Sequence, residues 1–210
     1  MISGATAQIC DLSQAQPGDF KSTYPLLGVT RADMSDLAQV DRQFQEVETH
    51  MGGLNILINN IGISGATAAV EDVSVADWQA TLAVNLNSHF YFVRKAVPLL
   101  KTAKGGFIIG IASTAGLMGY PMRIPYAASK WALIGLVKTL AMELGEFNSR
   151  VTAVSPVSVE GPRMDRNIAA EAKACNIAQD AVREGYQRQA SLRTFMRAWD
   201  IANMVLFLCC

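Results

Sequence analysis

Short β-rich runs that alternate with helix-period segments constrain the fold of this 210-residue chain more than any other feature. Ala5 to Cys10 reads as a strand ending at Asp11, and Leu26 to Ala32 as a second ending at Asp33. A helix follows from about Leu37 to His50, with Val40, Phe44 and Val47 at near-helical spacing and Gly52-Gly53 to stop it. Leu54 to Ile58 is a short buried strand that runs into Asn59-Asn60-Ile61-Gly62. Ser74 caps a long helix expected over about Val75 to Lys101, kinked or shortened at Pro98. Gly105-Gly106 break the chain before a strand at Phe107 to Ile111. A helix from Tyr126 to Leu144 stops at Gly145, and a strand at Arg150 to Val154 is bounded by Pro156. From Gly161 to Arg193 the Ala/Glu/Arg/Gln content predicts surface helices, and a last helix starts near Asp200. Strands separated by helices of this length form βαβ units with right-handed crossovers, so the class is α/β with a parallel sheet. With no repeat and no linker, residues 1–210 are read as one domain.

Composition removes several function classes. Half of the residues are hydrophobic and 17% are charged, too apolar for a disordered chain. The 18 basic and 18 acidic residues cancel, which argues against binding to nucleic acid or anionic lipid by bulk charge. No apolar run reaches the ~18 residues that span a bilayer. The first eight residues carry neither a basic region nor an apolar core, so no signal peptide is expected and the location is read as cytoplasmic. Cys10, Cys175, Cys209 and Cys210 show no metal spacing and no disulfide framework, and are read as free thiols. Glu46 precedes His50 by one helical turn, a spacing read as a surface contact, and His89 is read as a packing or surface residue. No metal site is expected.

Tyr126 to Leu144 has almost no polar face. A helix apolar nearly all round must be covered on both sides. One side meets the sheet, and the other meets either a second subunit, as in a homodimer or homotetramer, or unusually deep packing within one chain.

Tyr126 and Lys130, four residues apart on that helix, share one face. A phenol is a poor acid-base at neutral pH, whereas an ammonium within ~4–6 Å favours the phenolate. Such a pair suits proton exchange with a substrate oxygen. Ser113, thirteen residues earlier, follows the Phe107–Ile111 strand, where active-site loops of parallel sheets gather. Its hydroxyl either stabilises charge on a carbonyl oxygen or fills a turn. Asn85, inside an apolar helix, needs a partner, supplied either by backbone or by a site.

Asn59-Asn60-Ile61-Gly62, Asn85, Ser113 and Tyr126-Ala-Ala-Ser-Lys130, in this order, resemble the short-chain dehydrogenase/reductase family, with Ile61 where alanine is usual. Leu140-Ala-Met-Glu-Leu-Gly145 extends the likeness. The resemblance implies a Rossmann-like, doubly wound parallel sheet and a Ser113/Tyr126/Lys130/Asn85 catalytic group that interconverts a secondary alcohol and a ketone. Tyr126 would exchange the proton, Lys130 would assist it and bind the nicotinamide ribose, Ser113 would polarise the substrate oxygen, and Asn85 would relay protons through water to Lys130. The hydride belongs to the cofactor. Asp11, at the end of the second Rossmann strand, would accept from the adenine ribose and repel a 2′-phosphate, and the next cation in sequence is Lys21, so NAD is expected over NADP. Asp33 and Met34 would contact the adenine, Asn60 the cofactor's ribose region, and the Val159 backbone the nicotinamide. Asp11 as a mere turn residue is the competing reading.

The sequence also departs from the family. The glycine-rich phosphate turn belongs ~20 residues before the acidic residue. Only Gly4 precedes Asp11, so the first strand, its loop and its helix are expected to be missing. In the order 3-2-1-4-5-6 that loss leaves two central strand edges unpaired. The chain also stops on an apolar helix where the family adds a strand, Pro156-Val157 replaces Pro-Gly, and Gly161 stands where a threonine is common. The fold is therefore expected to be truncated at both ends. The alternative to an enzyme is a non-catalytic relative acting as a structural or oligomerisation partner. Residues 158 to 193 take the place of a substrate lid, in which Arg163 and Arg166 either meet an anionic or sugar-like substrate or are solvated. Met118, Tyr120 and Met122 are expected to line the pocket.

Overall fold

The computed structural model describes residues 5–12 and 27–210. Gly4, Lys21 and Leu26, which entered the expectations above, lie outside them. The elements are β1 Ala7–Asp11, β2 Leu27–Arg31, α1 Leu37–Met51, β3 Ile56–Asn59, α2 Val75–Leu82, α3 Ser88–Thr102, β4 Gly106–Ile111, α4 Ile124–Leu144, β5 Ser149–Val154, α5 Pro162–Cys175, α6 Gln179–Gln189 and α7 Ala198–Leu208.

Local chemistry sets several of these boundaries. Asp36 caps α1 by accepting from the Ala38 and Gln39 amides, and Gly52 ends it in the left-handed region at φ 69°. Ser74 caps α2 through the Asp77 amide. The long helix expected from Val75 to Lys101 is interrupted, but not where proline suggested. A π-turn over Ala83–Asn87 separates α2 from α3, whereas Pro98 lies inside α3. Burial of Phe92, Val93, Ala96 and Leu100 holds α3 together across a residue that costs about 3 kcal/mol in a helix interior.

All strand pairings among the described residues are parallel, as expected of βαβ units. They form two sheets rather than one, β1–β2 and β3–β4–β5. Among the described residues, no ladder joins β1 to β3, and in the Rossmann order that position belongs to the first strand. A single apolar core nevertheless serves both sheets. Val40, Phe44 and Val47 of α1 pack with Leu57, Ile108, Leu133 and Leu100, and Cys10 and Met34 lie against the same cluster. Each such aliphatic side chain contributes about 1.5–3 kcal/mol on full burial. Ile9 and Ile58, one on each side of the break, remain 44% and 49% exposed.

A second, smaller core lies between α5 and α6, built from Ile168, Ala172, Val182 and Tyr186. Tyr120, Met164 and Phe195 pack against it. On α4, Leu133, Val137, Leu140 and Leu144 are buried, while Ile124, Trp131 and Met142 are 43%, 52% and 86% exposed. The sequence expectation that both sides of this helix are covered is met on one side within a single chain. No helix among the described residues is long and apolar enough to cross a membrane.

Candidate active site

The C-terminal ends of β3, β4 and β5 converge, and hydrogen bonds tie their following loops together. The Ala112 amide donates to Val154 O (2.8 Å) and the Thr114 amide to Pro156 O (3.1 Å). Ser113 is buried at this junction and caps a short turn by accepting from the Ala115 amide at 3.2 Å. That turn reaches α4 through Gly116, where a Cβ would lie 2.6 Å from Lys130 O. Only glycine permits this approach, and it sets Ser113 against the helix that carries Tyr126.

Lys130 is 3% exposed and its Nζ donates to Ile111 O at 2.9 Å. Its Nζ also lies 5.7 Å from the centre of the Tyr126 ring, so the two side chains share a face as their spacing predicts. Burial, and secondarily the charge of Arg163, lower the Lys130 pKa to about 8.

Asn85 is fully buried in the π-turn. Its Oδ1 accepts from the Ile63 amide (2.7 Å), and its Nδ2 donates to Ile63 O (3.0 Å) and to Ser129 Oγ (3.1 Å). Ser129 in turn donates to Tyr126 O at 2.7 Å. Of the two readings of Asn85, the internal one is what these bonds show: the amide is satisfied within the chain, and it fastens the loop after β3 to the helix of Tyr126. His89 is buried as a packing residue, with its Nε2 3.0 Å from Ile61 O, and burial lowers its pKa to about 4.

Ser113 and Tyr126 line one pocket together with Ser64, Arg123, Ser158 and Arg163. Of Met118, Tyr120 and Met122, only Tyr120 lines it; Met118 is 54% exposed and Met122 is held at φ 62° with its carbonyl accepting from the Ala68 amide. Arg163 lines the pocket and Arg166 does not. Sequence reasoning missed Arg123, which is 1% exposed. The available signal was a lone cation among apolar residues, Met122-Arg-Ile-Pro125, just before Tyr126.

The remaining candidates lie apart from this pocket. Asp11 is exposed at the end of β1, and the parallel register sets Arg31 beside it. The next cation in sequence is Lys21, but strand pairing brings Arg31 close. Asp33 accepts from the Ser35 amide and hydroxyl, at 2.9 and 2.6 Å, and Met34 packs on the main core. Asn60 is exposed after β3. Val159 pairs with Met196 in an isolated parallel bridge, flanked by the Met196 amide on Ser158 O and the Glu160 amide on Met196 O.

The residues present fit a nicotinamide ribose at one point in particular. A Cβ on Gly62 would lie 3.3 Å from Asn85 Oδ1 and 3.5 Å from Lys130 Nζ, so glycine keeps the floor beside the lysine open.

Fold and site together define an α/β domain whose chemistry gathers at the carboxyl ends of parallel strands. Residues 3–210 match a family described as enoyl-(acyl carrier protein) reductase. The chain is 47% identical over 111 residues to trans-4-hydroxycyclohexanecarboxylate dehydrogenase of Sinomonas cyclohexanicum, covering 53% of this chain and 42% of that protein. It is 32% identical over 178 residues to D-beta-hydroxybutyrate dehydrogenase of Rhizobium meliloti, covering 84% of this chain and 69% of that one. The crystal structure of NAD+-bound xylitol dehydrogenase superposes with a TM-score of 0.90 at 25% identity, covering 97% and 82% of the two chains. ElxO with NADP bound, at 20% identity and a TM-score of 0.84 over 98% and 81%, shares the fold. The chain belongs to the short-chain dehydrogenase/reductase family.

Proposed function

We propose that this protein is a nicotinamide-dependent oxidoreductase that interconverts a secondary alcohol and a ketone. The observation that carries the reading is the convergence of Ser113 and Tyr126 on one pocket, with Lys130 buried one turn beyond the tyrosine and its Nζ 5.7 Å from the ring. The cofactor, when bound, supplies or accepts the hydride. Ser113 Oγ donates to the substrate oxygen and polarises it. Tyr126 exchanges the proton at that oxygen, and the Lys130 ammonium offsets the negative charge that develops on the phenolic oxygen during transfer. Lys130 would also hold the nicotinamide ribose. Asn85 positions Ile63 and Ser129, and the nearness of its Oδ1 and Lys130 Nζ to Gly62 supports a role in relaying protons through water to Lys130.

Asp11, Asp33, Met34, Asn60 and the Val159 backbone complete the proposed cofactor contacts, and Asp11 favours NAD over NADP. NAD is bound in the xylitol dehydrogenase structure and NADP in ElxO, which is why the preference is a matter for titration. Residues 1–210 act as one domain in which the α5–α6 pair, with its own small core, serves as the substrate lid. The exposed apolar side of α4 supports a homodimer or homotetramer, and the free cysteines support a cytoplasmic location.

Calorimetric titration with NADH and NADPH, followed by turnover assays, tests this reading. NADH is expected to bind more tightly than NADPH, and Tyr126→Phe is expected to abolish turnover while leaving cofactor affinity within about twofold. Full turnover by that variant removes the tyrosine from the reaction, and tighter binding of NADPH overturns the cofactor preference.

A further inference from the structure

Arg123 is a guanidinium buried to 1% exposure in the wall of the pocket that holds Ser113 and Tyr126. A buried cation is costly unless a counter-charge and hydrogen bonds meet it. Its Nη2 donates to Ser64 O at 3.0 Å and its Nη1 to Thr67 Oγ1 at 3.4 Å, while Nε has no partner. No carboxylate among the described residues forms an ion pair with it. A second guanidinium stands beside it on the same residue, since Arg163 Nε donates to Ser64 Oγ at 3.1 Å. Arg163 also lacks an acidic partner among the described residues, and its charge is felt at buried Lys130.

Both acids of α5 are engaged elsewhere. Asp165 accepts from Arg183 at 2.7 Å, and Glu171 accepts from the Tyr186 hydroxyl at 2.6 Å. The residues that line the pocket include two arginines and neither Asp nor Glu. Two cationic groups, Arg123 and Arg163, therefore line a small space whose polar walls otherwise contain hydroxyls and amides. Ser64, itself on the loop after β3, holds both guanidiniums and ties the lid helix α5 to the start of α4.

We infer that the substrate carries an oxyanion, most simply a carboxylate, and that Arg123 and Arg163 hold it in the pocket where Ser113 and Tyr126 act on the alcohol or keto carbon. The inference rests on the oxidoreductase reading and names its substrate class as hydroxy or keto acids. Arginine is suited to this task because its fork of donors matches a carboxylate or phosphate. An incoming anion supplies the counter-charge that Arg123 lacks and gives its unpartnered Nε an acceptor. The same contact draws Arg163, and with it α5, toward the pocket. Neutral alcohols leave both guanidiniums without a counter-charge and bind weakly.

The test is calorimetry on the full chain, with and without NADH, using 4-oxocyclohexanecarboxylate, its carboxamide and dihydroxyacetone phosphate. The carboxylate is expected to bind at least tenfold more tightly than the carboxamide, with the preference shrinking in high salt. Arg123→Met and Arg163→Gln are each expected to weaken the carboxylate several-fold or more, and to change the carboxamide by less than twofold. Selective binding of the phosphate instead keeps the oxyanion site and moves the substrate class to phosphorylated alcohols. Equal affinity for acid and amide, equal weakening of both by the variants, or no binding of any probe overturns the inference. Arg163 is exposed, so its variant keeps the test decisive if Arg123→Met fails to fold by circular dichroism. Turnover of cyclohexanol equal to that of 4-hydroxycyclohexanecarboxylate sinks the anion site and leaves the oxidoreductase reading intact. Acid-selective binding with no hydride transfer to NAD or NADP does the reverse.

Discussion

Lys130 carries an ammonium into a position that is 3% exposed, where its hydrogen-bond acceptor is the neutral carbonyl of Ile111. No carboxylate pairs with it among the described residues, and Arg163 adds repulsion. Its pKa falls from 10.5 to about 8. At about 1.36 kcal/mol per pH unit, the protonated lysine costs the folded state about 3 kcal/mol at neutral pH. Between pH 8 and 10.5 the unfolded chain holds this proton and the folded chain does not, so folding stability rises with pH through that window. Lys130→Met keeps the length of the side chain and removes the titration. Urea unfolding of both proteins at pH 7 and pH 10 isolates the lysine, because other alkaline titrations cancel in the difference. The stability of the parent relative to the variant is expected to improve by about 2–3 kcal/mol from pH 7 to pH 10. At pH 7 the loss of the Ile111 bond offsets part of the variant's gain, so the change with pH is the decisive quantity. A difference between the two proteins that stays flat across this range refutes the claim that Lys130 is held desolvated. The same variant should show almost no turnover, since the charge beside Tyr126 is gone.

His89 works in the opposite pH range: with its pKa lowered to about 4 by burial, the folded state resists protonation, and stability is lost as pH falls below 6.5. Denaturant melts should show the parent losing about 2 kcal/mol between pH 7 and 4.5 relative to His89→Gln, and equal losses in both would contradict it. Gly116→Ala places a methyl 2.6 Å from Lys130 O, rigid backbone on both sides, and is expected to cost about 1–3 kcal/mol in thermal or urea melts. It should also reduce turnover by moving Ser113; unchanged stability and rate would show that the turn adapts freely. Trp131, 52% exposed on α4, is expected to lie in a subunit interface, so Trp131→Glu should shift the chain toward monomer in light scattering. A parent protein that is already monomeric at micromolar concentration removes the interface.

Local periodicity and short motifs carried most of the fold, because a buried parallel strand and an amphipathic helix each leave a pattern within a few residues. β4, α4 and β5 start within two residues of where the sequence placed them and end where it did, and Tyr126 and Lys130 meet because helical spacing dictates it. What stayed hidden depends on contacts between distant segments. The helix break moved from Pro98 to Asn85, since the packing of Phe92, Val93, Ala96 and Leu100 supports the proline while the Asn85 amide is drawn to Ile63, twenty-two residues away. Arg31 comes beside Asp11 only through the register of β1 on β2. The division into two sheets followed from a strand order, which is a global rule, and not from any residue at the break. Arg123 is the sharpest case. In sequence it is an ordinary cation ahead of a helix, and only the approach of Ser64 and Thr67, more than fifty residues earlier, turns it into a buried guanidinium facing a substrate pocket. The proposed reaction type thus rests on short spacings along α4 and β4. The proposed substrate class rests on a charge whose burial depends on the loop following β3.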